Sequence, residues 1–260
     1  MILDQIVAAT EKRVSVNKLK VSFEKIREMA CSLPRGNSFP FEEAIKTETI
    51  SFISEVKKAS PSKGLIALDF PYLQIAKEYE AAGAQAVSVL TEPNYFLGSD
   101  LYLQEIKKEI QIPVLRKDFT IDPYQIYEAK TLSADAVLLI CTLLSDTKLI
   151  EFMKICDDLG LSALVEAHSE EEVNRALNAG AKIIGVNNRN LQTFEVDFEN
   201  CLRLRSIVGK NALFVAESGI KTADDVRMLQ EAEVDGVLIG ETFMRSDDKI
   251  KMLAHLRGED

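Results

Sequence analysis

Four short segments of the sequence resemble one another, namely Ala82-Gly83-Ala84-Gln85-Ala86-Val87, Ser133-Ala134-Asp135-Ala136-Val137, Ala179-Gly180-Ala181-Lys182-Ile183 and Glu233-Val234-Asp235-Gly236-Val237. Each copy joins an amphipathic stretch to a short apolar run, which is typical of a tight turn from a helix into a strand. The copies lie on the order of 50 residues apart, about the length of two βα units. The repeat therefore predicts a chain of regularly alternating strands and helices.

Eight short apolar runs follow one another after residue 50. They lie at 52–57, 86–90, 114–117, 136–140, 163–166, 183–187, 213–217 and 236–239, with clear helix candidates at 71–82, 123–133, 146–159 and 169–179. Short, continuous apolar runs suit strands buried on both faces, as in parallel sheets. Eight such units predict an α/β protein with a closed (β/α)8 TIM barrel.

The alternative fold is an open, doubly wound sheet. Such a sheet is expected to carry a glycine-rich phosphate turn after its first strand. The segment at that place, Lys57-Lys58-Ala59-Ser60-Pro61-Ser62, has neither GxGxxG spacing nor a Walker A lysine. The barrel is therefore the preferred prediction.

The first 48 residues follow a different pattern. Two apolar sets recur at helical spacing and predict two helices, namely Ile2, Leu3, Ile6 and Val7, then Phe23, Ile26 and Ala30. Ser22 is a candidate N-cap for the second helix, and Pro34-Arg35-Gly36-Asn37 predicts a loop after it. The segment is too short for its own core, so we expect both apolar faces to cover the barrel mouth. The chain is predicted to be one domain, 1–260, with an N-terminal helical extension at 1–48 and a barrel core at 49–260.

Composition excludes several classes of function. The chain has 260 residues, 47% of them hydrophobic and 28% charged, and 31 basic against 41 acidic residues give a net charge of −10. An acidic chain without a basic block is a poor binder of nucleic acid. No apolar run reaches the ~18–20 residues of a membrane span, and the N-terminus does not resemble a signal peptide. The positive charge that an anionic ligand needs must therefore be local.

The numbers and spacing of cysteine and histidine indicate the cellular compartment and exclude two kinds of active site. Four scattered cysteines without CxxC spacing predict reduced thiols and hence a cytoplasmic location. Two histidines are too few for a His-rich metal site, and no GxSxG segment supports a serine hydrolase triad. We expect no metal, no cofactor, no nucleic-acid or membrane partner, and a monomer that acts on a small molecule.

Polar residues occupy the carboxyl ends of five predicted strands. Since side chains alternate faces along a strand, an apolar or small residue is followed two places later by a polar one on the same face. In a TIM barrel the first packs the interior and the second lines the end where active sites are built. The convergent set is Glu55, Lys57, Lys117, Glu166, Asn187, Arg189 and Glu217. We expect these side chains to form a functional site.

Two glycine-containing turns follow the last two strands. Ser218-Gly219 comes after the seventh strand and Gly240-Glu241 after the eighth. Barrel enzymes frequently bind phosphate with this pair of loops, through backbone N–H groups and a helix N-terminus. A phosphate site is predicted here, with Ser60 as a further hydroxyl donor.

Three other residues have less specific signals. Phe96 and Phe119 lie just past strand ends, where they suit either stacking on an aromatic substrate or packing at the rim. His168 lies two residues after Glu166, and we interpret it as a loop-capping residue.

Five segments at these strand ends resemble indole-3-glycerol-phosphate synthases, the ring-closing enzymes of tryptophan biosynthesis. They are Ser54-Glu55-Val56-Lys57-Lys58-Ala59-Ser60-Pro61-Ser62, Leu115-Arg116-Lys117-Asp118-Phe119, Leu164-Val165-Glu166-Ala167-His168, Gly185-Val186-Asn187-Asn188-Arg189-Asn190-Leu191 and Ala216-Glu217-Ser218-Gly219-Ile220. Leu90-Thr91-Glu92-Pro93-Asn94-Tyr95-Phe96 is similar to the family's loop after the second strand. The resemblance runs from the N-terminal helices to about Arg245.

The resemblance implies a carboxy-lyase that closes the indole ring of 1-(2-carboxyphenylamino)-1-deoxyribulose 5-phosphate with loss of CO2 and water. It implies that Lys117 is the general acid and Glu166 its acid–base partner, while Lys57 lies near the substrate carboxylate and Glu55 positions or deprotonates. Asn187, Arg189, Glu217, Phe96 and Phe119 would hold the substrate, and Ser60, Ser218, Gly219, Gly240 and Glu241 its phosphate. Burial or neighbouring cations are expected to lower the pKa of the catalytic lysine.

Two alternatives share parts of this pattern. Another sugar-phosphate barrel enzyme, such as phosphoribosylanthranilate isomerase, would share the phosphate loops but not the Glu-x-Lys, Lys-Asp-Phe and Asn-Asn-Arg segments together. A non-catalytic barrel that binds phosphorylated metabolites would lack the lysine–glutamate cluster, and ligand binding without turnover would identify it.

Overall fold

The computed structural model describes residues 2–36, 38–190 and 194–259. Met1, Asn37, Leu191 and Asp260, which the sequence predictions included, lie outside the described residues. Eight parallel strands close into a barrel in the order 51–56, 236–239, 213–217, 183–187, 162–167, 136–140, 114–117 and 86–90. The predicted (β/α)8 TIM barrel with an N-terminal helical extension is therefore confirmed.

The barrel strands begin and end within one residue of the predicted runs. They are β1 (Ser51–Val56), β4 (Ala86–Leu90), β5 (Val114–Lys117), β6 (Ala136–Ile140), β7 (Ser162–Ala167), β8 (Ile183–Asn187), β9 (Leu213–Glu217) and β10 (Gly236–Ile239). A small antiparallel hairpin that the sequence did not predict lies in the loop after β1, formed by β2 (Ala59–Ser60) and β3 (Gly64–Leu65).

Helices precede the barrel and cover its outside. The extension contains α1 (Ile2–Lys20), α2 (Phe23–Ser32) and α3 (Pro40–Ile45). The outer layer contains α4 (Tyr72–Ala81), α5 (Asp100–Glu109), α6 (Pro123–Thr131), α7 (Asp146–Leu159), α8 (Glu170–Asn178), α9 (Glu199–Val208), α10 (Ala223–Glu231), α11 (Glu241–Arg245) and α12 (Lys249–Arg257). No helix within the described ranges is long and apolar enough to cross a bilayer.

The fourfold repeat is a helix-ending turn with the same backbone at each place. One residue of each copy is left-handed, namely Gly83 (φ 85°), Ser133 (φ 64°), Gly180 (φ 85°) and Glu233 (φ 57°). The N–H of the next residue donates to the carbonyl five residues back, from Ala84 to Tyr79 in the first copy. This hydrogen bond belongs to the Schellman arrangement, which ends a helix and satisfies its last carbonyls. The turns lead into β4, β6, β8 and β10.

The barrel interior is filled from the strands and closed from below. Ile53, Leu115 and Leu164 are fully buried on the inward face. Helix α3 adds Phe41 and Ile45 to this cluster at the amino-terminal end of the barrel, where Ser51 Oγ donates to the Ile45 carbonyl. The sequence predictions missed α3 because six residues are too few to display a helical period.

The two longer N-terminal helices cover different surfaces. The start of α1 lies at the barrel mouth, as predicted, where Ile2, Leu3 and Ile6 line the central cavity. The same prediction is wrong for α2, which packs on the outer helix α6. Phe23 and Tyr127 meet there edge to face, with ring centroids 5.7 Å apart. An amphipathic face predicts that a partner exists but does not identify it.

Candidate active site

One cavity of about 640 Å³ lies at the carboxyl ends of the barrel strands. The structure brings every site residue predicted from the sequence to its wall, namely Glu55, Lys57, Ser60, Phe96, Lys117, Phe119, Glu166, Asn187, Arg189, Glu217, Ser218, Gly219, Gly240 and Glu241. Parallel strands end at the same rim, so polar residues at those ends converge although they are far apart in sequence.

Lys117 is the central cation of the cavity. It ends β5, and its Nζ lies 3.5 Å from Glu166 Oε2 of β7 and 3.5 Å from Glu217 Oε2 of β9. The lysine side chain is 14% exposed and the two carboxylates are 2% exposed. The amine is therefore held between two carboxylates with little water around it.

The protonation of Lys117 corrects one sequence-based expectation. Burial lowers the pKa of this amine, but Glu217, Glu166 and Glu55 outweigh burial and raise the pKa above its usual value. The expectation of a lowered lysine pKa is wrong, because three carboxylates from three strands surround the amine. Lys117 is thus a charged ammonium with a proton to donate.

The two carboxylates beside Lys117 differ in protonation. Burial and the charges of Glu166 and Glu55 raise the pKa of Glu217 to about 8, although Lys117 opposes them. Burial acts on Glu166 as well, but Lys117 and His168 lower its pKa to about 2. At neutral pH the pair therefore carries one negative charge, on Glu166, and one proton, on Glu217.

Gly185 leaves the space that Glu217 occupies. A Cβ atom on Gly185 would lie 2.3 Å from Glu217 Oε1, so glycine is the residue that β8 can place opposite this carboxyl group. Among the described residues, Glu217 Oε1 is buried without a hydrogen-bond partner.

A second lysine–carboxylate pair lies against the last glycine loop. Lys57 Nζ is 2.5 Å from Glu55 Oε1, and Ser88 Oγ donates to Glu55 Oε2 at 3.5 Å. Burial raises the pKa of Glu55, but Lys57 and Lys117 outweigh burial and lower it. A Cβ atom on Gly240 would lie 2.5 Å from Glu55 Oε1 and 2.7 Å from Lys57 Nζ. The loop and the ion pair are therefore in direct contact.

The glycine loop after β9 has an unusual backbone. Ser218 and Gly219 are consecutive left-handed residues, with φ 68° and 84°. The Ser218 carbonyl accepts a hydrogen bond from Asn188 Nδ2 at 3.1 Å, which fixes the turn from the neighbouring loop. A Cβ atom on Gly219 would lie 2.6 Å from Val196 Cγ1.

Three cationic residues of the cavity were missed by the sequence analysis: Lys63, Lys221 and Arg245. Lys63 Nζ lies 3.4 Å and Arg245 Nε 3.0 Å from Glu241 Oε1. A weak signal was present, since Lys63 follows Ser60 by three residues and Arg245 follows Glu241 by one helical turn. The direction of a side chain can be predicted from the periodicity of a strand or helix, but a loop has no such periodicity.

The remaining candidates lie on other parts of the wall. Phe96 and Phe119 form one aromatic surface, with ring centroids 5.9 Å apart and planes inclined by 43°. The Arg189 guanidinium donates to the Phe194 carbonyl at 3.2 Å, and the Arg189 N–H donates to Asn187 Oδ1 at 3.0 Å. Both polar side chains are thus tied to the loop after β8.

His168 has two sets of contacts. Its backbone N–H donates to Glu172 Oε2 at 2.8 Å, a contact in which Glu172 is the capping side chain, so the loop-capping role of the histidine stays a prediction. Its ring Nε2 also lies 3.3 Å from Glu166 Oε1, a contact that the capping interpretation did not include. Over the described ranges, no group of three or more His, Cys, Asp or Glu side chains is arranged to hold a metal ion.

The sequence and fold match known proteins over nearly their full length. A sequence model described as indole-3-glycerol phosphate synthase matches residues 3–256. The chain belongs to the indole-3-glycerol phosphate synthase family. It is 58% identical to the indole-3-glycerol phosphate synthase of Ruminiclostridium cellulolyticum over 258 residues, which is 99% of each chain. It is 56% identical to that of Endomicrobium trichonymphae over 99% of this chain and 100% of the relative.

Similarity to solved structures concerns the fold alone. The 3-hexulose-6-phosphate synthase of Salmonella typhimurium superposes with a TM-score of 0.66 at 13% identity, over 80% of this chain and 97% of that one. Family membership favours the synthase interpretation over the two alternatives, the isomerase and the non-catalytic barrel.

Proposed function

We propose that this protein is a carboxy-lyase of tryptophan biosynthesis that converts 1-(2-carboxyphenylamino)-1-deoxyribulose 5-phosphate into indole-3-glycerol phosphate, CO2 and water. The observation that carries the proposal is the lysine–glutamate cluster of the cavity, with Lys117 between Glu166 and Glu217 and Lys57 paired to Glu55. A phosphate-binding barrel without chemistry has no need of this many buried charges, because each is costly to desolvate.

Ring closure needs an acid at the ketone of the substrate. The aromatic carbon that bears the carboxylate attacks the ketone carbon, and the ketone oxygen takes a proton as the new C–C bond forms. Lys117 suits this step because its amine is charged, largely buried and held by Glu166. The carboxylate then leaves as CO2, and its bonding electrons restore the aromatic ring.

Dehydration needs a second acid and a base. The hydroxyl formed in ring closure departs as water with one added proton, and the neighbouring carbon loses a proton to form the pyrrole double bond. Lys57 and Glu55 are the next acid and base in reach of the cavity, and Glu166 is ionised and able to accept a proton.

The rest of the wall suits the three parts of the substrate. We place the phosphate at Ser218, Gly219, Gly240 and Glu241 with Ser60, where Lys63, Lys221 and Arg245 add positive charge. The aromatic ring fits the apolar surface of Phe96 and Phe119. Asn187, Arg189 and the neutral Glu217 offer hydrogen bonds to the sugar-derived hydroxyls and the carboxylate.

Indole fluorescence tests the proposed reaction directly. The chain has no tryptophan, six tyrosines and 12 phenylalanines, so its own emission is weak and tyrosine-like. We expect indole emission to grow when the purified protein is mixed with the aminodeoxyribulose phosphate, with or without a chelator. Lys117→Ala and Glu166→Gln serve as controls for spontaneous decomposition and should flatten the trace. A wild-type protein that binds the substrate without forming indole would instead be a binding barrel.

We also propose a cytoplasmic location and a monomeric state. All four cysteines are free thiols in the structure, which supports a reducing compartment such as the cytoplasm. The monomeric state stays a prediction, which sedimentation of the purified protein would test.

A further inference from the structure

His168 lies behind the carboxylate that the proposed reaction uses. Its ring Nε2 is 3.3 Å from Glu166 Oε1, and its ring Nδ1 is 3.4 Å from Glu172 Oε2. The ring is 18% exposed and is not part of the cavity wall described above. It therefore touches Glu166 from outside the cavity wall.

The two contacts require a particular form of the ring. A neutral imidazole has one N–H donor and one lone pair, and here a lone pair would face a carboxylate oxygen on one side. The doubly protonated ring has a donor for each carboxylate. In agreement, Glu166 and Glu172 outweigh burial and raise the pKa of His168 to about 10. The contact to Glu166 is an ion pair rather than an aligned hydrogen bond.

Glu166 divides its two oxygens between two cations. Oε1 faces His168 and Oε2 lies 3.5 Å from Lys117 Nζ. A rotation of the carboxylate would lengthen both contacts, so His168 restricts the orientation in which Glu166 meets the amine. We propose that His168 is a positioning residue whose imidazolium, fixed from behind by Glu172, holds Glu166 beside Lys117. The inference rests on the proposed function, in which Glu166 acts with Lys117.

Glu172 is itself held firmly. Its Oε2 accepts a hydrogen bond from the His168 backbone N–H at 2.8 Å, and its Oε1 accepts one from the Thr142 hydroxyl at 2.7 Å. It lies in the first turn of α8, where its own N–H donates to the cap residue Ser169 at 3.3 Å. Asn200 Nδ2 donates to the His168 carbonyl at 3.3 Å from α9. Helix α8 thus holds the ring through Glu172, and α9 holds the backbone of His168 through Asn200.

The other charged and titratable groups near the ring leave its charge in place. The ring itself faces Glu166 of β7 and Glu172 of α8. The groups near these two carboxylates are Lys117 of β5, Cys141 just after β6, Arg175 of α8 and Glu217 of β9. Arg175 is paired with Asp146 at 2.6 Å. Burial raises the pKa of the Cys141 thiol to about 12 and that of Glu217 to about 8, so neither adds charge at neutral pH. Two anions therefore face one imidazolium.

Replacement of His168 by asparagine separates positioning from capping, because the backbone N–H to Glu172 is retained. We expect kcat of indole formation to fall ~10- to 100-fold, the cost of a misplaced catalytic group, with KM nearly unchanged. Without the imidazolium the pKa of Glu166 rises from about 2, so the acid limb of the kcat profile should move to higher pH. His255→Asn, at the other histidine of the chain, is the matched control.

A second variant lowers the pKa of His168 without removing the ring. Glu172→Gln keeps an oxygen for the backbone N–H but removes one of the two anions that face the ring. The pKa of His168 should then fall from about 10, and kcat should show a new alkaline loss where the ring deprotonates.

Proton NMR of the ring gives an independent measurement. In a His255→Asn background the single remaining histidine should stay protonated at pH 8, and a ring that titrates at its ordinary value of 6.5 would overturn the inference. So would a His168→Asn variant with wild-type kcat and an unmoved acid limb, provided that the wild type forms indole. A wild type that forms none overturns the proposed function first.

Discussion

Replacement of Glu217 by glutamine isolates the proton that the site holds at neutral pH. Burial and Glu166 raise the pKa of Glu217 from 4.5 to about 8 in the folded protein. Between these two values the folded protein binds more protons than the unfolded chain, so the free energy of unfolding falls as the pH rises. Glutamine mimics the neutral carboxyl group and cannot ionise. Glu217→Gln should therefore remove this part of the pH dependence.

The magnitude follows from the pKa difference. Each pH unit in this window changes the free energy of unfolding by up to ~1.4 kcal/mol. From pH 4.5 to 7 the loss is therefore at most about 3 kcal/mol, and sharing of the proton with Glu166 reduces it. We expect the variant to be about 1–3 kcal/mol more stable than the wild type at pH 7, with a difference below about 1 kcal/mol at pH 5.

Urea unfolding at pH 5, 6, 7 and 8 measures this difference. Circular dichroism and tyrosine emission both report it, since no tryptophan is present. Glu231→Gln, which removes an exposed carboxylate on α10, is the control for the loss of one acidic residue. A Glu217→Gln variant that differs from the wild type by the same amount at pH 5 and pH 8, or that is less stable at pH 7, would refute the neutral carboxyl group.

Three further changes test other parts of the site and fold. Lys117→Ala should keep a native circular dichroism spectrum and lose ~10²–10⁴-fold in kcat. Lys117→Arg should not restore kcat, because a guanidinium does not release its proton. Near-normal turnover in either variant contradicts the general-acid role of Lys117. Gly240→Asp should abolish the binding of inorganic phosphate, measured by calorimetry, without unfolding the protein. The reason is that the new Cβ would lie 2.5 Å from Glu55 Oε1 and the new charge would face the phosphate. Unchanged binding argues against a phosphate site at this loop. Gly180→Ala should lower the urea midpoint by the equivalent of ~1 kcal/mol, because φ is 85° and no atom crowds the site, whereas Glu233→Gly at φ 57° should not lower it.

The barrel could be predicted from the sequence because its signals are local and repeated. Buried parallel strands give continuous apolar runs, and the turn at Ser133 resembles that at Gly83 because both end a helix in the same way. The position of α2 on α6 could not be predicted, since one apolar face fits any other. Helix α3 was missed because its two core residues, Phe41 and Ile45, span a single turn.

The residues that line the site could be predicted from the sequence, but their pKa values and contacts could not. Strand ends converge in a barrel, so the presence of Lys117 and Glu166 in one cavity follows from their positions. The raised pKa of Lys117 depends on carboxylates from three other strands, and sequence spacing does not give their distances. The ring contact of His168 with Glu166 depends likewise on how the loop after β7 folds back.

The cations at the cavity contrast with the charge of the whole chain. Lys63, Lys221 and Arg245 line a cavity in a protein of net charge −10. An anionic sugar phosphate is therefore repelled at long range and attracted over the last ~10 Å, about one Debye length at 0.1 M salt. Added salt first screens the distant repulsion and only later the close attraction. The rate of substrate capture, measured as kcat/KM, should thus pass through a maximum with ionic strength instead of falling throughout.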